Sequence, residues 1–89
     1  MEHFDIRVTG LVQGVGFRYF TKREALRNGV TGFVKNEWDG SVYIEAEGEP
    51  AQLKEFTDNL RIGPWSADVK SVSVQPGPLK FFNDFTINF

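Results

Sequence analysis

The run Gln13-Gly14-Val15-Gly16-Phe17-Arg18 leaves a strand-like segment and leads into a helical one. Glycines at alternate positions let successive backbone N–H groups turn inward as a nest, and the first turn of the following helix adds its own unpaired donors. Such a loop binds an anion. The charges that follow point the same way. Arg18, Lys22 and Arg23 crowd the start of the helix, where the macrodipole favours carboxylates and disfavours cations. A positive cluster placed against that preference, beside a glycine nest, suits a phosphate. Taken singly, Gly14 and Gly16 signify a tight strand-to-helix turn and Arg18 a solvated side chain; the combination is what implies a ligand. Asn36, in "VKNEWDG", is the second candidate. An asparagine near a hairpin ordinarily makes a local bond to its own backbone. The order of the strands, which the sequence leaves open, decides whether Asn36 also lies beside the loop.

The elements that must position these residues follow from hydrophobic periodicity. Phe4, Ile6 and Val8 alternate with Asp5, Arg7 and Thr9, the period of a half-buried strand. "RYFTKREALRN" (18–28) contains neither glycine nor proline and is closed by Gly29, which predicts a helix. Its apolar residues segregate poorly: Phe17 and Phe20 share a face, while Tyr19 and Leu26 project from the opposite one. "TGFVKNE" and "SVYIEAEG" predict two antiparallel strands joined around Asp39-Gly40, with Val42, Ile44 and Ala46 inward and Tyr43, Glu45 and Glu47 outward. Pro50 suits a first helical turn, and Leu53, Phe56 and Leu60 fall at helical spacing. After the break at 62–66, "VKSVSV" and "FFNDFTINF" predict two more strands around "QPGP". The order β-α-β-β-α-β plus a C-terminal strand predicts an α+β fold, a ferredoxin-like α/β sandwich with two helices packed on one face of an antiparallel sheet.

Composition bounds the chemistry. The 89 residues are expected to form a single domain, residues 1–89, with 40% hydrophobic and 15% aromatic content suited to a compact core. The absence of cysteine excludes disulfides, zinc–thiolate sites and thiol nucleophiles. The one histidine, His3, near a terminus expected to fray, argues against a histidine metal cage or a Ser–His relay. A net charge of −2 offers no global attraction to nucleic acid or to an anionic membrane. Neither a signal sequence nor a long apolar run is visible, so the expectation is a cytoplasmic protein, with nothing to suggest more than a monomer.

Two longer motifs in these segments carry a family resemblance. "GLVQGVGFR" followed by "GFVKNEWDG", with Asn36 eighteen positions after Arg18, resembles the acylphosphatase family's G-x-V-Q-G-V-x-F-R and G-[WF]-V-x-N-x-x-D-G segments. "VYIEAEG", the Gly63-Pro64 pair and "FTINF" extend the likeness over nearly the whole chain. The resemblance implies hydrolysis of an acyl phosphate to a carboxylate and inorganic phosphate, with no metal or organic cofactor. It places the phosphate cradle on Gln13, Gly14, Val15, Gly16, Phe17 and Arg18, the essential arginine on Arg18, and the water-orienting asparagine on Asn36. Asn88 stands where the family often has a basic residue, and Trp38 where it has a small or polar one. A non-catalytic phosphate-binding or regulatory domain of the same fold is the alternative. RNA-recognition domains share the element order, and "GFVKN" echoes part of their signature, but Asn36 falls where an aromatic is wanted and the chain is acidic. Small acyl phosphates and inorganic phosphate, rather than nucleic acid or membrane, are the expected partners.

Overall fold

The computed structural model describes residues 1–89. Seven elements follow in the order β1 (Glu2–Leu11), α1 (Phe17–Asn28), β2 (Thr31–Asn36), β3 (Val42–Gly48), α2 (Pro50–Ile62), β4 (Asp68–Gly77) and β5 (Phe85–Asn88). One five-stranded sheet carries them in the order β4-β1-β3-β2-β5, and both helices cover the same face. Ile6, Val8, Val34, Val42, Ile44 and Ala46 from that face meet Phe17, Ala25, Leu53, Phe56 and Leu60 from the helices in the core. The ferredoxin-like sandwich is therefore present, with the alternation of β1 and β3 as expected.

Local chemistry accounts for the helix boundaries. At the start of α2, Pro50 occupies the first turn, and Glu49 and Gln52 form a reciprocal capping box. Gly29, at φ 70°, closes α1. The weakly segregated α1 leaves Tyr19 and Leu26 exposed, and it meets α2 partly through polar groups: Asn59 donates to the buried Glu24 at 2.8 Å.

Some expectations need correction, beginning with the all-antiparallel sheet. The sheet is mixed, because β5 pairs parallel to β2. Strand β4 runs antiparallel to β1 and ends at the level of His3. The chain must then cross the sheet to reach the far edge, and a strand starting from that end runs in the same sense as β2. The "QPGP" segment accordingly makes no hairpin: β4 continues through it to Gly77, and strand pairing resumes only at Phe85, with Phe81 at φ 59° in the crossing segment.

That crossing segment, residues 78–84, packs on the sheet face away from the helices. Glu45 and Glu47 do point to that face, as their parity demands, but both are buried. So is His3, only 2% exposed, because β1 starts at Glu2 and does not fray. Glu47 Oε2 accepts from His3 Nδ1 (2.7 Å) and from the Lys80 N–H (2.6 Å). Its Oε1 accepts from the Phe81 and Phe82 N–H groups. His3 Nε2 faces Asp5 Oδ1 at 2.8 Å, and Lys80 Nζ donates to Glu45 at 2.8 Å. A carboxylate at each ring nitrogen favours the charged form of the imidazole. Burial draws the His3 pKa down, but its bonds to Glu47 and Asp5 outweigh this and leave it raised. Burial raises the Glu47 pKa, but the three backbone donors and His3 leave it lowered.

Candidate active site

Strand order answers what the sequence left open about Asn36. Both β1 and β2 lie antiparallel to β3, so their C-terminal ends share one end of the sheet, with Val8 and Asn36 both paired to Val42. Asn36 has the parity of Val34, the helix-facing side, and so meets the loop that leaves β1 for α1. One pocket of about 100 Å³ is lined by Val12, Gly14, Gly16, Phe17, Arg18, Tyr19 and Asn36. Ligand pockets for drug-sized molecules run to about 300–1,000 Å³; this one suits a small oxyanion.

The loop presents donors to it. Gly14 (φ 74°) and Gly16 (φ 78°) take the left-handed conformation that bends the chain into a nest, and a Cβ on either would meet nothing within 4 Å. Gly16 also caps α1 with no side chain bonded to the helix end and no acidic residue in the first turn. The backbone N–H groups from Gly14 to Tyr19 donate to no acceptor within the protein; backbone pairing resumes with Phe20 N–H to the Gly16 carbonyl at 3.0 Å. Asn36 Oδ1 is buried and likewise bonded to no protein group. Buried polar atoms without partners are uncommon in folded proteins, and here donors and an acceptor converge on one pocket.

Three further groups hold this arrangement. Arg18 Nη1 donates to the Asn88 carbonyl at 3.2 Å, and its guanidinium lies over the Phe89 ring at 4.6 Å. The C-terminal strand thus reaches Arg18 through a backbone oxygen, for which the type of side chain at position 88 is immaterial. Ser66 Oγ donates to the Val15 carbonyl at 2.9 Å; because C=O and N–H of a trans peptide point oppositely, this turns the Gly16 N–H away from Ser66. Gln13 donates to the Glu37 carbonyl at 2.6 Å and to the Ser41 carbonyl at 2.8 Å.

Of the residues singled out in the sequence, Gly14, Gly16, Phe17, Arg18 and Asn36 line the pocket, whereas Gln13 and Val15 do not. Lys22 and Arg23 do not reach it either: Lys22 borders a separate cleft beside Phe85, and Arg23 sits over Phe20. Trp38 is 97% exposed on the hairpin. Ser66 was not visible as a site residue, since nothing in "IGPWS" distinguishes a serine that grips a distant carbonyl.

On this α+β sandwich, a small N–H-lined pocket with one arginine and one asparagine is the kind of site that suits a small oxyanion. Comparison with known proteins narrows the class. The profile of the acylphosphatase family ("Acylphosphatase") matches residues 4–87. The chain is 48% identical over 89 residues to the acylphosphatase of Thermotoga maritima, covering 100% of this chain and 99% of that one. It superposes on the crystal structure of acylphosphatase from Bacillus subtilis with a TM-score of 0.97 at 39% identity, covering 100% of both chains. It also matches full-length HypF (TM-score 0.89, 28% identity), covering 99% of this chain but 12% of that much longer one. The chain belongs to the acylphosphatase family. No helix is long and apolar enough to cross a membrane.

Proposed function

We propose that this protein is an acylphosphatase that hydrolyses the carboxyl–phosphate bond of small acyl phosphates, using Arg18 and Asn36 at the loop pocket. The observation that carries the proposal is the set of unpaired backbone N–H donors on Gly14, Gly16, Phe17, Arg18 and Tyr19, residues that line one pocket together with the orphaned Asn36 Oδ1. Backbone N–H groups of residues 14–18 hold the phosphoryl oxygens, and Arg18 forks onto two of them. Asn36 Oδ1 accepts a hydrogen bond from a water held in line behind phosphorus. The water oxygen forms a bond to phosphorus as the bond to the acyl oxygen breaks, and the carboxylate leaves without needing a proton.

The water's proton passes to a phosphoryl oxygen. Neither carboxylate of the hairpin is disposed to act as a base: Asp39 accepts from the Ser41 O–H at 2.6 Å and the Ser41 N–H at 2.9 Å, which hold its pKa down, and Glu37 does not line the pocket. Catalysis is then positioning and charge stabilisation, in which one preorganised donor is worth about 10²–10³ in rate. A cytoplasmic monomer acting as a single domain on diffusible substrates, without metal or cofactor, completes the proposal.

The test is ultraviolet-monitored hydrolysis of benzoyl phosphate with a chelator present, against p-nitrophenyl phosphate as an ester control. Fast turnover of the acyl phosphate alone is expected. Folded protein that binds inorganic phosphate but turns over neither compound would point instead to an anion-binding regulatory domain.

A further inference from the structure

Resting on the function just proposed, we infer that Gln13 is a positioning residue that ties the phosphate loop to the hairpin and so sets the distance between the bound phosphoryl group and Asn36. Both of its hydrogen-bond partners are carbonyl oxygens, so the amide nitrogen, not the oxygen, must face them. With both amide protons engaged, Gln13 has no side-chain donor left for a phosphate, and it does not line the pocket. Its partners are the two carbonyls that organise the hairpin. Ser41 O also accepts from the Glu37 N–H at 2.8 Å, and Glu37 O from the Gly40 N–H at 3.2 Å. Glu37 is the covalent neighbour of Asn36, and Gln13 that of Gly14. One side chain therefore bolts the nucleophile-orienting strand end to the anion nest, two segments more than twenty residues apart in the chain. Misplacing an attacking group by about 1 Å costs up to about 10²-fold in rate, whereas the loop donors and Arg18 bind phosphate irrespective of where Asn36 sits.

The experiment is a double-mutant cycle of Gln13→Met with Asn36→Ala, assayed by benzoyl phosphate hydrolysis and by competitive inhibition with inorganic phosphate. Gln13→Met should lower kcat about 10–100-fold while the phosphate inhibition constant stays within about threefold, and in the Asn36→Ala background the same change should cost less than about threefold. A purely structural role would not produce that split or that background dependence. Gln13→Glu supplies an independent readout. It offers an O–H donor only when protonated, so its kcat relative to wild type should rise as the pH falls from about 7 to about 5. A parallel loss of phosphate affinity would overturn the inference by making Gln13 a phosphate contact. An equal penalty in both backgrounds would overturn it while leaving the role of Asn36 intact. An Asn36→Ala variant with full kcat would instead remove the proposed role of Asn36, and this inference with it.

Discussion

Glu47→Gln is a demanding probe of the buried cluster on the far face of the sheet. In the native carboxylate, Oε1 takes the N–H groups of Phe81 (2.9 Å) and Phe82 (3.2 Å), and Oε2 takes Lys80 N–H (2.6 Å) and His3 Nδ1 (2.7 Å). A glutamine of the same shape keeps one oxygen. With its NH₂ at the Oε1 position the amide meets the Phe81 and Phe82 N–H groups, and with it at the Oε2 position it meets the Lys80 N–H and a His3 that must give up its Nδ1 proton; either way the His3–Glu47 ion pair is lost. Two part-buried donors left unsatisfied cost up to about 1–3 kcal/mol each, and breaking the buried His3–Glu47 pair costs about 3–5 kcal/mol. The two routes agree on a loss of about 3–5 kcal/mol. For a domain of this size each kcal/mol lowers Tm by about 4–8 °C, so the fall should be roughly 12–40 °C. Urea denaturation of both proteins gives the difference from the midpoints if the slope m is unchanged. A loss below about 1 kcal/mol at constant m would refute the idea that Glu47 pins segment 78–84 to the sheet.

Other consequences are open to measurement. His3 has a pKa raised from 6.5, so its contribution to stability is complete below that value and fades as pH rises through the folded value. Glu47 is lowered from 4.5, so its contribution is complete above that value and fades as pH falls through the folded one. Urea midpoints should therefore be highest between pH 4.5 and 6.5, and His3→Gln should flatten the alkaline limb; an unchanged limb would remove His3 from the linkage. A Cβ at Gly32, where φ is 143°, would run into the Glu45 carbonyl oxygen of the neighbouring strand. Gly32→Ala should thus cost about 2–5 kcal/mol, and calorimetry showing a neutral effect would contradict the close approach of β2 to β3. Ser66→Ala frees the Val15 carbonyl, and at about 1 kcal/mol for the lost bond phosphate should bind about fivefold more weakly. Unaltered phosphate inhibition would mean that the loop holds its shape without Ser66.

How much of this was legible in the sequence depended on whether the cause was local. The alternation of Ile6 and Val8, the Pro50 helix start and the Asp39-Gly40 turn are set by neighbouring residues, and each appears where its pattern placed it. The parity of Glu45 and Glu47 was also legible. Their burial was not, because it depends on a crossing segment from the other edge of the sheet that brings backbone donors over them. His3 looked like a terminal residue for the same reason. At the site, the glycine run and Arg18 announced an anion loop by residue type. The meeting of Asn36 with that loop required the strand order, since only the shared pairing of β1 and β2 with β3 puts both at one end. Gln13 and Ser66 were harder still: their partners are backbone carbonyls of distant segments, which leave no signature of residue type.

The most direct test of the proposed catalytic role is the comparison of wild type with Asn36→Ala in benzoyl phosphate hydrolysis, with phosphate inhibition measured on both. Removal of the group that orients water should lower kcat by at least about 10²–10³-fold with KM and phosphate inhibition nearly unchanged. Full kcat in a folded Asn36→Ala protein would contradict the assignment of Asn36 to the reaction.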